Sequence, residues 1–375
     1  MKIEACHIVQ SFDMGGIEKL VFDLIEKSLH GKFHYTVICI DDKGRLASML
    51  EEKGVEVVAL NKTSGIDISL IFRLARLFKE RNIKVVHNHN LGPAFYGGLA
   101  ARIAGIPAVI YSGHGIDPKM GIKRKILQRF SFMLQDRIVA VSEKALHFMI
   151  ERESVPADKT IFIENGIDLN PFKLKVADRD AVLKKYKLPH TENMIGIIAR
   201  LHKVKDIPTL IDAFRMIAQE RDDTCLVIVG EGEERHPLEK KVGDAGLSDK
   251  VFFLGEQTQI SELLAIFSVF VLSSVSESSP ISIMEAMAAG LPVVATNVGG
   301  NAKLVTSGSG GFIVEPRDAA SMKDAILKII ENKGLAVKMG ECNKKIVFSK
   351  YNIENTLRKY EDLYTQTLAC SSKGL

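Results

Sequence analysis

Runs of β-branched and apolar residues alternate along the chain with segments whose apolar positions recur every three to four residues. IEACHIVQ (3–10), HYTVICI (34–40), VEVVAL (55–60), KVVHNH (84–89), AVIYS (108–112), DRIVAV (136–141) and TIFIEN (160–165) read as strands, with helices such as 16–29 and 68–81 between them. Strand, helix, strand at this spacing predicts a parallel sheet covered on both faces. A polar, weakly periodic stretch containing Pro171 and Pro189 runs from 165 to 193 and reads as a linker. Alternation then restarts through MIGIIA (194–199), TCLVIVG (224–230), KVFFLG (250–255), VFVLSS (269–274), PVVAT (292–296) and GFIVE (311–315), and three helical segments close the chain from about 319, 335 and 353. The pattern predicts an α/β protein of two doubly wound, Rossmann-like domains, with the working surface at the carboxyl ends of both sets of strands, facing each other across a cleft.

Composition agrees with that picture. The 375 residues exceed one ordinary core, and 46% hydrophobic with 26% charged residues exclude a disordered chain. The five cysteines (Cys6, Cys39, Cys225, Cys342, Cys370) are too scattered for a disulfide framework or a structural metal, which points to a reducing compartment. No signal-peptide pattern opens the chain, and the longest strongly apolar run, 263–276, is shorter than a bilayer span. A soluble cytoplasmic protein is expected. The net charge is +4, with 24 basic against 20 acidic residues up to Lys173, so the whole excess lies in the first half. Much of it sits in KMGIKRKILQR, where Lys119, Lys123, Arg124, Lys125 and Arg129 have no acidic residue among them. Ile122, Ile126, Phe130 and Leu134 recur every four positions through the same segment. Such a helix can lie on an anionic bilayer, peripherally at the inner face of the plasma membrane, or can be an ordinary packed helix with a solvated basic face. Nucleic acid is not expected, because the block is short and aromatics are few.

Chemistry is sought at the strand ends. After the first strand, Gly15 and Gly16 permit a close turn into a helix whose N-terminus can receive an anion; a tight turn alone is an equal reading, and no Gly-x-Gly-x-x-Gly is present. Arg200 follows the strand 194–199 directly, and Lys205 precedes a helix that Asp206 could cap. The two cations could clamp a diphosphate or simply face solvent. In SSVSESSPISIMEAMAAGLPVVATNVGG, Ser279 can cap, Pro280 fits the first helical position and Gly290 the stop, predicting a helix over 280–289. Glu277 precedes it, and Glu285 lies within its apolar body, one turn after Ile281 and Ser282. Sugar and ribose hydroxyls would supply the donors such a carboxylate needs, and the free amides at the helix start would meet a phosphate oxygen; an internally satisfied structural carboxylate is the alternative. His7 reads as a core residue of its strand. His87 and His89 share one side of theirs, and a metal pair there is discounted for want of further ligands.

Glu277 and Glu285, spaced E-x7-E and followed by AMAAGLPVVATNVGG, resemble the retaining glycosyltransferases of family 4 (glycosyl transferases group 1), which have the GT-B fold. GGIE, HNHN, SGHG, AVSE, ENGID, ARLHKVKD, IVGEGEER and FFLG occur in the family's order over nearly the whole chain. The resemblance implies an acceptor-binding domain at 1–170, a donor-binding domain at 171–352, and a last helix, about 353–375, packed back on the first. It implies a nucleotide diphosphate sugar (UDP- or GDP-sugar) as donor, and a saccharide or polyprenyl-linked saccharide acceptor of bacterial cell-surface polysaccharide synthesis. By this resemblance Arg200 and Lys205 neutralise the diphosphate and Glu277 meets the transferred sugar. Glu285 binds the ribose, and Leu254 and Gly255 receive the base. Gly15 and Gly16 let the first domain approach the phosphates, and His114 lies near the reaction centre. Ser279, Pro280, Ile281 and Ser282 form the phosphate-facing helix start. No cofactor or metal is expected, since no Asp-x-Asp stands near a strand end to hold one.

The chain departs from the family at Ala199, at Ser278-Ser279-Pro280 in place of a glycine-rich loop, and at Lys303 in place of an acid; these bear on sugar identity. A UDP-sugar epimerase or hydrolase acting without acceptor could share the architecture, but E-x7-E argues against it. A nicotinamide oxidoreductase lacks its glycine fingerprint, and an exported binding protein lacks its signal.

Overall fold

In a computed structural model, residues 2–114, 121–153, 155–173 and 178–371 are described. Thirteen strands occur among them: β1 Ile3–Val9, β2 Phe33–Cys39, β3 Glu56–Ala59, β4 Val85–His89, β5 Ala108–Gly113, β6 Arg137–Ala140, β7 Thr160–Phe162, β8 Asn193–Ile198, β9 Thr224–Val229, β10 Val251–Gly255, β11 Val269–Leu272, β12 Val293–Thr296 and β13 Gly311–Val314. Each lies on one of the β-branched runs read from the sequence. They form two sheets, ordered β3-β2-β1-β4-β5-β6-β7 and β10-β9-β8-β11-β12-β13, with every pairing parallel. Chain order reverses direction at β1/β4 in one sheet and at β8/β11 in the other. Those switch points are where doubly wound sheets open a crevice at their carboxyl edge.

The chain divides into two units: Met1–Gly166 with Ile353–Leu375, and Ile167–Asn352. The second therefore begins at 167, not at the expected 171, and much of the expected linker is part of its body. Residues Arg179–Tyr186 are helical, and Val182, Leu183 and Leu188 are buried with Ile167, Leu169 and Met194 in one core. An eight-residue helix with two buried positions leaves too faint a periodicity to be seen in the sequence. Unit 1 is closed by the helix Ile353–Ser371, whose Ile353, Tyr360, Leu363 and Tyr364 share a core with Leu20, Leu24, Phe33 and Tyr35. Unit 2 has cores on both faces of its sheet, one around Phe270, Met284 and Met287 and the other around Phe214, Val271 and Ile326. No helix among the described residues is long and apolar enough to cross a membrane.

Candidate functional site

In unit 2 the loops after β8 and β11 lie together. Ala199 N–H donates to Val229 O (3.0 Å) and Leu201 N–H to Glu231 O (2.8 Å), so the Arg200 loop is laid along the segment that follows β9. Gly230 and Gly232 allow this approach: a Cβ on either would overlap the carbonyl of Ala199 or Leu201. Arg200 is exposed, with no partner among the described residues. Lys205 ends a short 3-10 turn, Lys203–Lys205, and its Nζ reaches Glu277 Oε1 at 2.5 Å. Ser274 Oγ donates to the same oxygen at 2.7 Å, and Ser273 Oγ donates to Lys205 O at 2.8 Å. The two loops are thus tied through side chain and backbone, and Glu277 Oε2 takes no hydrogen bond among the described residues.

Asp206 occupies the N-cap position of Ile207–Glu220 at φ 46°, but its carboxylate accepts from Thr209 Oγ1 (2.7 Å) and caps no amide, contrary to the sequence reading. The E-x7-E helix is Ile281–Ala288, with buried Pro280 as N-cap and no side-chain cap. Ser279 is therefore not the cap and Pro280 is not the first helical residue, because the chain is still extended at Pro280 (φ −73°, ψ 109°). Ile281 is buried, Ser282 is half-buried, and the first amides of this helix have no intrahelical partner. Glu285 is half-buried one turn further on. Gly299 (φ +52°) and Gly300 hold the Glu277 loop in place, since a Cβ on Gly299 would overlap the carbonyl of Glu277 and one on Gly300 would crowd that of Ser278. At the end of β10, Leu254 O accepts from Gln257 Nε2 (2.7 Å), and Gly255, at φ +67°, accepts from Gly230 N–H (2.8 Å). The structure brings Lys205 and Glu277 into direct contact; Arg200 lies on the loop after β8, Leu254 and Gly255 end β10, and Glu285 lies on the helix Ile281–Ala288.

In unit 1, Gly15 is the extended N-cap of the helix that begins at Gly16, Gly16–Ser28, and Glu18 folds its carboxylate over Gly15. The place read as open to an anion is therefore lined by an acid from the first turn. His114 follows β5, its N–H reaching Asn90 Oδ1 at 3.3 Å. Its ring belongs to a cluster that strand register assembles: His7 on β1 faces His87 on β4, and His89 lies two residues further along the same side. His7 Nδ1 lies 2.9 Å from His89 Nε2, and His89 Nδ1 lies 3.0 Å from His114 Nε2. His87 Nδ1 meets Tyr364 Oη (2.6 Å) and its Nε2 meets Ser112 Oγ (2.7 Å). Burial pushes His7 down to about 3 and His114 down to about 4. Burial, and then the neighbouring imidazoles, hold His87 and His89 well below the usual histidine range. One nitrogen from each of His7, His87 and His89 falls within a 4.8 Å group, so His7 supplies the third imidazole that the sequence reading lacked. Its strand gave no hint of this, because the partner lies 82 residues away.

The basic segment forms the helix Ile122–Met133; Lys119 lies outside the described residues. Its apolar stripe faces outward: Ile122 is 77%, Ile126 64% and Met133 69% exposed, whereas Gln128 and Ser131 are buried beside Phe132. The helix packs through Gln128, Ser131 and Phe132 with its basic residues solvated, and much of its apolar stripe is solvated as well. Lys123, Arg124, Lys125 and Arg129 are exposed on the same helix, and Leu134 is half-buried just past its end.

Comparison with known proteins turns this geometry into a family. A model described as glycosyl transferases group 1 matches residues 178–346, and one described as glycosyltransferase family 4 matches 14–171. This chain belongs to the group 1, family 4 glycosyltransferases. Among its relatives is the UDP-Gal:alpha-D-GlcNAc-diphosphoundecaprenol alpha-1,3-galactosyltransferase of Escherichia coli, 27% identical over 97% of both chains. Another is the N-acetyl-alpha-D-glucosaminyl L-malate synthase of Bacillus anthracis, 28% identical over 82% of this glycosyltransferase and 81% of that one. The crystal structure of Anabaena HepE in complex with UDP and glucose superposes with a TM-score of 0.86 at 21% identity, covering 97% of this chain and 99% of that one. The fold is GT-B. An epimerase or hydrolase working without acceptor finds no support among these relatives.

Proposed function

We propose that this glycosyltransferase is a retaining, metal-independent enzyme that moves a hexose from a UDP-sugar to a hydroxyl of a polyprenyl-linked saccharide in bacterial cell-surface polysaccharide synthesis. The observation that carries the proposal is the Lys205–Glu277–Ser274 constellation at the β8/β11 switch point, beside the exposed Arg200. An ammonium has three N–H donors. Lys205 spends one on Glu277 and keeps two for diphosphate oxygens. Arg200 adds a fork of donors, and the amides of Ile281 and Ser282 add the positive end of a helix. Together they would stabilise the charge that grows on the leaving diphosphate, which is the demanding part of breaking the anomeric bond. In this reading Glu277 Oε2 takes sugar hydroxyls and Glu285 those of the ribose, while Leu254 and Gly255 meet the base. The acceptor hydroxyl attacks from the face the diphosphate leaves, and the departing phosphate oxygen takes its proton. His114 then positions the sugar and is not the base. The Escherichia coli relative, whose name specifies UDP-Gal and a diphosphoundecaprenol substrate, supports both the nucleotide and the acceptor class.

The outward stripe of Ile122, Ile126 and Met133 flanked by four cations supports peripheral docking of unit 1 on an anionic bilayer. Purified protein is to be incubated with radiolabelled UDP- and GDP-hexoses in EDTA, with and without lipid-linked acceptors, and the product anomer read by NMR. EDTA-resistant transfer from a UDP-sugar with the anomer kept is expected. Inversion, a metal requirement or preference for GDP-sugars would each refute the corresponding part.

A further inference from the structure

The three imidazoles His7, His89 and His114 stand in line, ring nitrogen to ring nitrogen, at 2.9 and 3.0 Å. Two lone pairs at such a distance repel, so each gap holds one proton. Burial keeps all three rings neutral, and a neutral imidazole has one N–H and one lone pair. The line can therefore be ordered in only two ways. Either every N–H points toward His114, or every N–H points toward His7, and the choice at one end fixes the tautomer at the other. His7 decides between them. It is 2% exposed, and its Nε2 has no hydrogen-bond partner among the described residues. An N–H there would be a buried orphan donor, which proteins avoid more strictly than an idle lone pair.

We infer that His7 and His89 are positioning residues that hold His114 in its Nδ1–H tautomer, so that the ring nitrogen left outside the line is a hydrogen-bond donor to a substrate oxygen and cannot serve as a proton acceptor. His7 Nδ1–H donates to His89 Nε2, and His89 Nδ1–H donates to His114 Nε2. His87 stands beside the line and is held separately: its two nitrogens pair with Tyr364 Oη and Ser112 Oγ, and Tyr360 Oη lies 3.2 Å from that serine. Both tyrosines come from the helix Ile353–Ser371, so the last helix of the chain holds the ring that stands beside the line. A tautomer set from within explains why a histidine next to the chemistry needs no carboxylate partner, and it specifies a donor-lined contact for a hydroxyl or phosphoryl oxygen of the substrate.

The inference rests on the reading of His114 as a substrate contact, and its test separates the two. Long-range ¹H–¹⁵N spectra of ¹⁵N-histidine-labelled full-length protein, assigned with His114→Ala, read the ring directly and need no activity. A protonated Nδ1 and bare Nε2 on His114 are expected, with His89→Phe and His7→Phe allowing the other tautomer to appear. Kinetically, His89→Phe should lower kcat about tenfold while the UDP-sugar KM stays within about twofold. A protonated Nε2 in the wild type, or stoichiometric zinc in the purified protein, overturns the proposal even if both variants fail to fold. The locked tautomer together with wild-type turnover in His114→Ala would leave the lock standing and remove the substrate contact.

Discussion

Lys205 and Glu277 form an ion pair between residues singled out for the donor site, and at 21% and 10% side-chain exposure it is shielded enough to matter. Lys205→Ala breaks this pair and leaves Glu277 with an uncompensated charge, and under the proposed function it also removes a cation from the diphosphate. Transfer should fall at least about tenfold, roughly 1.4 kcal/mol of transition-state stabilisation, with Glu277→Ala losing as much; steady-state rates at saturating acceptor check this, and a folded variant with wild-type turnover would remove both assignments. Arg200, Lys205, Glu277 and Glu285 could be singled out in the sequence because each stands near a strand end or on a short helix. Their pairing could not be, since Lys205 meets Glu277 across 72 residues and only the β8–β11 neighbourhood makes it possible. The same limit hid the histidine line, which depends on β1 registering with β4 and on where the residue after β5 turns.

At the level of elements, Gly299 and Gly300 are the seat on which the Glu277 loop rests. The sequence showed them only as part of a motif, because a glycine required by backbone contact looks like any turn glycine until its neighbour is known. Gly299→Ala places a Cβ against Glu277 O at a positive φ and should cost more than 1 kcal/mol of stability, while lowering transfer as much as loss of Glu277 itself; a thermal midpoint and rate equal to wild type would contradict this. The helix Ile122–Met133 poses the opposite case. Its four-residue apolar repeat was plain in the sequence, but which side faced inward was not, and the buried side proves to be Gln128, Ser131 and Phe132. Ile122→Ser with Ile126→Ser should reduce sedimentation with vesicles containing anionic lipid severalfold and leave transfer to a water-soluble acceptor unchanged. Binding undiminished by that change would mean the stripe is not the docking face.

For the whole molecule, the alternation of strand and helix was enough to give both sheets, since thirteen β-branched runs became thirteen strands. The faint helix Arg179–Tyr186 was lost in what looked like a linker. The buried histidines also set a property of unit 1 as a body. His7, His87 and His89 are neutral when folded, with His7 down to about 3, whereas an unfolded chain takes up protons near pH 6.5. The unfolded state thus binds more protons below that pH, so stability is full above about 6.5 and falls as pH drops toward 4, at roughly 1.4 kcal/mol per pH unit per histidine. Calorimetry at pH 7.5, 6.5 and 5.5 should show a midpoint that declines over the last interval most; a flat profile would mean the cluster takes up protons when folded. The Arg81 guanidinium beside Glu56 holds that carboxyl below its ordinary value, so acid also removes its contribution once the unfolded carboxyl protonates.

Ile167 N–H donates to Tyr351 O at 2.9 Å, and Ile167 bridges Asn352 in parallel, so the stretch 167–352 starts and finishes at one spot. Such a stretch is a cassette: an uninterrupted gene segment that can be lifted out, or replaced by its counterpart from a related enzyme, with both splice points falling at the same place. Nucleotide preference should then travel with the graft, while acceptor choice stays with the recipient.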